Sequence, residues 1–307
     1  MDPDFRAILD NGIHRAYPAT SLARGIEILG HSVLVETNSE EFAAITERLL
    51  RSFDVSVDYS RQPEVVFGAC ISDDPKVPHQ FLRDGKLFRE TNQFWKLVRL
   101  LEWQLDIFLW HHEEQHMLMH AGSIAVGDAG VLIPGSSRAG KSSLTMSLLL
   151  RGGRYFSDEV GVVTTDTSEL LPFPKPLSSR VPDMFPEVTS WFGPSQEEVA
   201  EEVDGWTPVW FAHADDIRSD SISEPARVTH IIFPEPGDRS NPVLEPMTES
   251  EAMKRILRHT VNFKILGSSA FHALAGIVRA ARAYRLIRNG IDSTAELVLE
   301  TVTADIT

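Results

Sequence analysis

The chain has 307 residues, 42% of them hydrophobic, which is enough for one large or two medium domains with a substantial core. Its net charge of −15 argues against nucleic acid or an anionic membrane as partner, because either needs a dense basic face. The single cysteine, Cys70, excludes an intrachain disulfide and fits a reducing compartment.

Residues 1–90 read as a smaller N-terminal α/β domain. Met1–Phe5 lacks the basic and apolar regions of an export signal, and no uncharged apolar run is long enough to span a bilayer, so a cytoplasmic location is expected. Gly25–Leu29 and Ser32–Glu36 read as strands around a turn at Gly30-His31. Ser39 caps a helix running to Leu50, and Val65–Cys70 is a further strand. Asp84-Gly85 is a two-residue turn signal between the short runs Gln80–Leu82 and Lys86–Phe88. Residues 91–117 form a connecting helix. Its apolar positions Phe94, Leu97, Val98, Leu101, Leu105 and Phe108 follow helical spacing from Phe94 to about Glu114.

Residues 118–307 form the second domain. Ser123–Val126, a turn at Gly127–Gly130 and Val131–Pro134 make a hairpin. A helix over Ser143–Leu150 is closed by Gly152-Gly153. Arg154–Ser157 is a short strand, with Val160–Thr164 as its continuation. Residues 165–225 hold many prolines and are expected to be loops, with the acids Glu197, Glu198, Glu201, Glu202 and Asp204 on a solvated helix face. Thr229–Phe233 is a strand closed by Pro234–Gly237. Thr248 and Glu251 form a capping box before a helix to Arg258. A helix over Ser269–Arg282, a strand over Tyr284–Ile287 and a helix over Ser293–Leu299 complete the chain.

Between the strand Val131–Pro134 and its following helix lies Gly135-Ser136-Ser137-Arg138-Ala139-Gly140-Lys141-Ser142, a complete GxxxxGK[ST] loop followed by Ser143. Glycines there let successive backbone N–H groups turn towards an anion, and the helix N-terminus adds partial positive charge. Lys141 is placed to reach the β- and γ-phosphates of ATP, and the Ser142 hydroxyl to hold Mg²⁺. Asp158 and Glu159 follow Lys141 by 17 and 18 residues, at the end of the next strand. Two carboxylates there can divide the work: one faces the metal, and the other orients or deprotonates an attacking oxygen.

His120, the hairpin, the loop Gly135–Ser142 and then Ser157-Asp158-Glu159 resemble the C-terminal catalytic domain of HPr kinase/phosphorylase and its diverged peptide and small-molecule serine kinases. The resemblance covers about residues 118–300. In that family a histidine lies 21 residues before the lysine, where His120 stands. The resemblance implies an α/β fold with a P-loop HPr-kinase-like catalytic domain. It implies that His120 lies beside the transferred phosphoryl group, that Lys141 binds phosphates, that Ser142 and Asp158 hold Mg²⁺, and that Asp158 and Glu159 supply the base. Arg138 stands where HPr kinases usually carry glycine, Glu159 replaces an aspartate, and a downstream Glu-x-Arg-Gly-type signature is missing. The expected reaction is transfer of the ATP γ-phosphoryl group to a hydroxyl. Serine or threonine of a peptide or protein is the first acceptor, and a small hydroxylated metabolite or free amino acid the second. A nucleotide-sensing regulator without turnover is the non-enzymatic alternative. The N-terminal domain is a candidate docking surface, and self-association stays open.

Other patterns point elsewhere. His112-Glu-Glu-Gln-His116 is formally HExxH, but no third zinc ligand stands out. Asp158–Gly161 matches DxxG without any guanine-recognition motif, and no ABC signature is present. Trp206, Trp210 and Phe211 are candidates for a substrate wall, though aromatics so spaced more often belong to a core. Lys175 and Arg180 are candidate acceptor or phosphate cations, and His230 reads as a satisfied core histidine.

Overall fold

A computed structural model describes residues 22–53, 62–200, 207–237 and 241–306. Met1–Phe5, the acids at 201–204 and Trp206 lie outside the described residues. The chain divides into two compact units: residues 1–105 with 193–209, and residues 106–192 with 210–307. The division falls inside the connecting helix, between Leu105 and Asp106.

In the first unit β1 (Leu22–Ile28), β2 (His31–Thr37), β3 (Val65–Cys70), β4 (His79–Arg83) and β5 (Lys86–Thr91) form one sheet in that order. Only β2 and β3 run parallel. Helix α1 (Glu40–Leu49) lies between them in sequence, as a parallel pair requires a long connection. Ser39 caps it, its hydroxyl accepting from the Phe42 amide. Asp84 and Gly85 both take positive φ, as the tight β4–β5 turn demands. Ile26, Val33, Phe42, Phe67 and Phe81 are fully buried. Helix α2 (Phe94–His112) follows.

The second unit is built on a larger sheet. It contains β6 (His116–Val126), β7 (Ala129–Pro134), β8 (Arg154–Ser157), β9 (Val160–Thr164), β10 (Glu169–Leu171), β13 (Ala226–Pro236), β14 (Val243–Pro246) and β15 (Arg282–Arg288). The strand path is β10-β9-β6-β7-β13-β15-β14, with β8 also on β6 and β10 also on β13. A separate pair, β11 (Leu177–Ser179) and β12 (Trp210–Ala212), runs antiparallel. The helices are α3 (Lys141–Leu150), α4 (Gln196–Ala200, in the segment that groups with the first unit), α5 (Ala214–Ile217), α6 (Glu249–Ile256), α7 (Phe263–Leu266), α8 (Ser268–Ala280) and α9 (Ile291–Ile306).

Alternation along the strands sorts the core into two layers. Val131, Ile133 and Ile232 pack with Leu144 and Leu148 of α3 and Val298 and Val302 of α9. Leu132, Ile231 and Phe233 face the other way, onto Ile256 of α6 and Leu274 and Ile277 of α8. Each such fully buried side chain contributes about 1.5–3 kcal/mol. The sheet is therefore covered on both faces, the α/β arrangement expected for strands joined by helices.

Local differences have local causes. Residues 165–225, expected to be loops, contain β10, β11, β12 and α5. These strands have three residues each, too few to show a period, and β11 finds its partner more than thirty residues away. The edge strand β14 follows Pro242 and ends in Pro246, composition that reads as a loop but is compatible with an edge. Strand β13 runs on through Pro234 and Pro236, where its pairing with β7 has ended and only β15 accompanies it.

Candidate functional site

The acidic pair owes its position to an interruption in one edge of the sheet. Strands β8 and β9 both pair with β6, Ser157 opposite Ser123 and Val160 opposite His120. Asp158 and Glu159 form a two-residue bend between them. The Ser157 hydroxyl accepts from the amides of Glu159 and Val160, at 3.4 and 3.1 Å, and the Ala121 amide donates to Glu159 O. His120 lies on β6 opposite Val160, next to this bend.

The phosphate loop leaves β7 at Gly135 and enters α3 at Lys141. Gly140 has φ +95° and Arg138 φ +67°, both left-handed. A left-handed φ is free for glycine, whereas arginine at 138 costs about 1–2 kcal/mol there. Ser136, Ser137 and Arg138 are exposed, Ala139, Gly140, Ser142 and Ser143 half-buried, and Gly135 and Lys141 buried. Gly122 of β6 admits the helix: a Cβ there would stand 2.5 Å from Thr145 Oγ1 and 3.7 Å from Lys141 Cβ.

Lys141 Nζ lies 3.0 Å from His120 Nε2 and 3.4 Å from Ser136 O. Burial pushes the lysine pKa down, and the charges of Glu159 and Asp158 oppose that. Glu159 Oε1 is 3.0 Å from the same His120 nitrogen. Burial works to raise the Glu159 pKa, but the His120 hydrogen bond and the Lys141 charge outweigh it and bring it to about 2. Asp158 is buried, and burial with the neighbouring Glu159 charge raises its pKa. Its Oδ1 accepts from Tyr155 Oη at 3.2 Å and its Oδ2 from the Ser178 amide at 3.1 Å, and the nearby Ser142 hydroxyl works to lower its pKa. The structure thus brings His120, Lys141, Ser142, Asp158 and Glu159 into one cluster.

Ser142 and Asp158 present a hydroxyl and a carboxylate side by side, the hard oxygen donors Mg²⁺ takes. Asp158 is buried, so a cation held between these two oxygens would offset its charge.

Lys175 is a correction. It is buried and its Nζ sits 2.6 and 2.7 Å from the two Asp106 oxygens, with no side chain offered to an acceptor. Phe211 is a core residue, fully buried with its ring 5.6 Å from Phe192. The HExxH histidines do not share a helix face, because α2 ends at His112 and His116 opens β6. Gly161 of the DxxG match serves packing: a Cβ there would meet Leu132 Cδ1 at 2.9 Å. His230 is buried and bonded to Thr229 Oγ1 and Asp305 Oδ2, as a satisfied core histidine should be.

Sequence reasoning missed His259. Its ring centroid lies 6.5 Å from that of His120. Burial, then His120, Lys141 and Arg258, bring its pKa down to about 4. The segment is held there by Asn262, which accepts from the Leu118 amide and donates to Glu113 O and His116 O. No local motif marks these residues, since the contact spans over a hundred residues of sequence.

A GxxxxGK[ST] loop at a strand-to-helix junction, flanked by a histidine and two acids, sits in an α/β unit, and the chain is similar to HPr kinases. The chain is 25% identical over 186 residues, 56% of its length, to an HPr kinase/phosphorylase of Chloroherpeton thalassium. That match spans half the length of the curated relative. The solved Hpr(Ser) kinase/phosphatase of Coxiella burnetii is 15% identical, with a TM-score of 0.31 covering 61% of this chain and 95% of that one. No family model matches. No helix among the described residues is long and apolar enough to cross a membrane.

Proposed function

We propose that this protein is a Mg²⁺-dependent phosphotransferase that moves the γ-phosphoryl group of ATP to a hydroxyl, first of all serine or threonine of a peptide or protein, in the cytoplasm. The observation that carries the reading is the cluster in which His120 Nε2 touches both Lys141 Nζ and Glu159 Oε1 beside the phosphate loop.

Lys141 and the loop amides bind and orient the phosphates. Ser142 and Asp158 would hold Mg²⁺, which neutralises phosphate charge when bound. Asp158 is fixed by Tyr155 and Ser178 and is poorly placed to move. Glu159 is more accessible, its side chain 28% exposed, and is coupled to His120. Glu159, which His120 and Lys141 keep ionised, is too weak a base to ionise the hydroxyl beforehand. It orients the acceptor and receives its proton late, as the hydroxyl oxygen bonds to the γ-phosphorus and the bond to the bridging oxygen of ADP breaks, with His120 orienting the carboxylate.

The test is ADP release with and without candidate acceptors. Release should depend on a hydroxyl acceptor and fall at least about a hundredfold in Lys141→Ala at an unchanged circular dichroism spectrum. A folded Lys141→Ala protein with normal turnover overturns the proposal. Stimulation by small hydroxylated metabolites instead of peptides selects the second acceptor class. Binding of ATP without any acceptor-dependent release selects the nucleotide-sensing regulator.

A further inference from the structure

The flank of the phosphate loop away from the His120 cluster holds a cavity of about 240 Å³. Gly140, Ser143 and Leu144 form one wall, and the turns after β13 and β15 form the other, with Gly237, Arg288 and Thr294 among the lining. His120, Asp158 and Glu159 do not line it.

Arg288 ends β15 and lies against Gly140. A Cβ built on Gly140 would stand 2.6 Å from Nη1, 2.7 Å from Cζ and 2.9 Å from Nε. Glycine at 140 thus serves the left-handed turn and also admits the guanidinium. Among the described residues the Arg288 Nε is buried without a hydrogen-bond partner, and none of the described residues lining the cavity carries a carboxylate. A half-buried cation with no countercharge is costly, and a site that keeps one is set up for a ligand that accepts hydrogen bonds or stacks on it.

Size limits that ligand. Pockets for drug-sized molecules run to about 300–1,000 Å³, so this one suits a single planar ring system rather than a peptide segment. Position limits it further. The cavity touches Gly140 and Ser143, which bracket Lys141 and Ser142, so a ring seated there is one sugar away from phosphates in the loop.

We propose that this cavity receives the base of a nucleoside triphosphate, with Arg288 stacking on it or hydrogen-bonding to it. The inference rests on the phosphate-binding reading above. It also assigns sides: the nucleotide lies on the α9 flank of the loop, and the acceptor hydroxyl comes from the His120 flank.

The test compares a ligand with a base and one without. Dissociation constants for Mg·ATP and Mg·tripolyphosphate are measured by calorimetry on the full chain and on Arg288→Ala. The wild-type chain should bind ATP about tenfold or more tightly than tripolyphosphate, and Arg288→Ala should lose about tenfold in ATP affinity while keeping that for tripolyphosphate. An equal loss for both ligands would make Arg288 a phosphate contact and overturn the assignment, as would an unchanged ATP affinity. Tripolyphosphate bound as tightly as ATP by the wild-type chain removes the base site and leaves the phosphate site standing. Binding of neither removes both. Photolabelling of the wild-type chain with 8-azido-ATP needs no variant to fold: label should map to residues 236–237 or 288–294, and label confined elsewhere overturns the proposal.

Discussion

Glu159 Oε1 and Lys141 Nζ each stand 3.0 Å from one atom, the Nε2 of His120. One imidazole nitrogen cannot serve both in the same state. Carrying a proton, it donates to Glu159; bare, it accepts from Lys141. A single proton therefore redistributes the bonding of the cluster.

The two acids should separate by role. Glu159→Gln removes the proton acceptor and should lower kcat by about 10²–10⁴ while leaving ATP affinity measured without Mg²⁺ nearly unchanged. Asp158→Asn should lower kcat too and weaken the dependence of ATP binding on Mg²⁺. Steady-state kinetics with and without the metal would show this. Loss of metal-free ATP binding in Glu159→Gln would place Glu159 in phosphate binding instead.

His259 should make stability sensitive to mild acid. Its pKa falls from 6.5 to about 4 on folding, so the unfolded chain binds the proton first. Its neutral form is fully compatible with the fold above pH 6.5, and stability falls as the pH drops from there towards 4, by less than the full shift implies because solvent screens the half-buried ring. Urea unfolding at several pH values should show a shallower loss across that window in His259→Gln than in the wild-type protein. Parallel slopes would show that His259 titrates alike in both states.

Gly122→Ala should disturb the loop from beneath. The new methyl would press on Thr145 Oγ1 at 2.5 Å, and overpacking of this kind costs about 1–3 kcal/mol. ATP affinity should fall with it, because Lys141 leads the displaced helix. Adding Thr145→Ala should recover much of both losses, a coupling that a double-mutant cycle measures. Additive effects would mean the two residues do not collide.

Lys175→Met should destabilise by about 3–5 kcal/mol, because it leaves the Asp106 charge buried opposite an apolar side chain. Asp106→Leu combined with Lys175→Met should regain most of that. Thermal melts suffice. An unchanged melting temperature in Lys175→Met would mean that the lysine is not held in this buried pair.

The sequence displayed the loop, the acidic pair and most strands because each is a local signal. Gly135–Ser142 is contiguous, Asp84-Gly85 marks its own turn, and Thr248 with Glu251 forms the capping box that the structure contains. What stayed hidden depends on distant pairing. His259 reaches His120 only because Asn262 ties its segment to the start of β6. Arg288 looks like any strand-end arginine until β15 is placed beside β13 and brings it over Gly140. Lys175, in a proline-rich stretch, reads as an exposed cation, and only the fold supplies Asp106. Strand β14 is four residues that follow Pro242 and end in Pro246, too short for alternation to show.

The most direct measurement is the crystal structure of the full chain with Mg²⁺ and a non-hydrolysable ATP analogue. The account predicts the γ-phosphate against Lys141 Nζ, Mg²⁺ on Ser142 and Asp158, and the His120–Glu159 pair facing the γ-phosphorus with room for a hydroxyl between. A bound analogue whose γ-phosphate lies away from His120, Asp158 and Glu159 alike would contradict it.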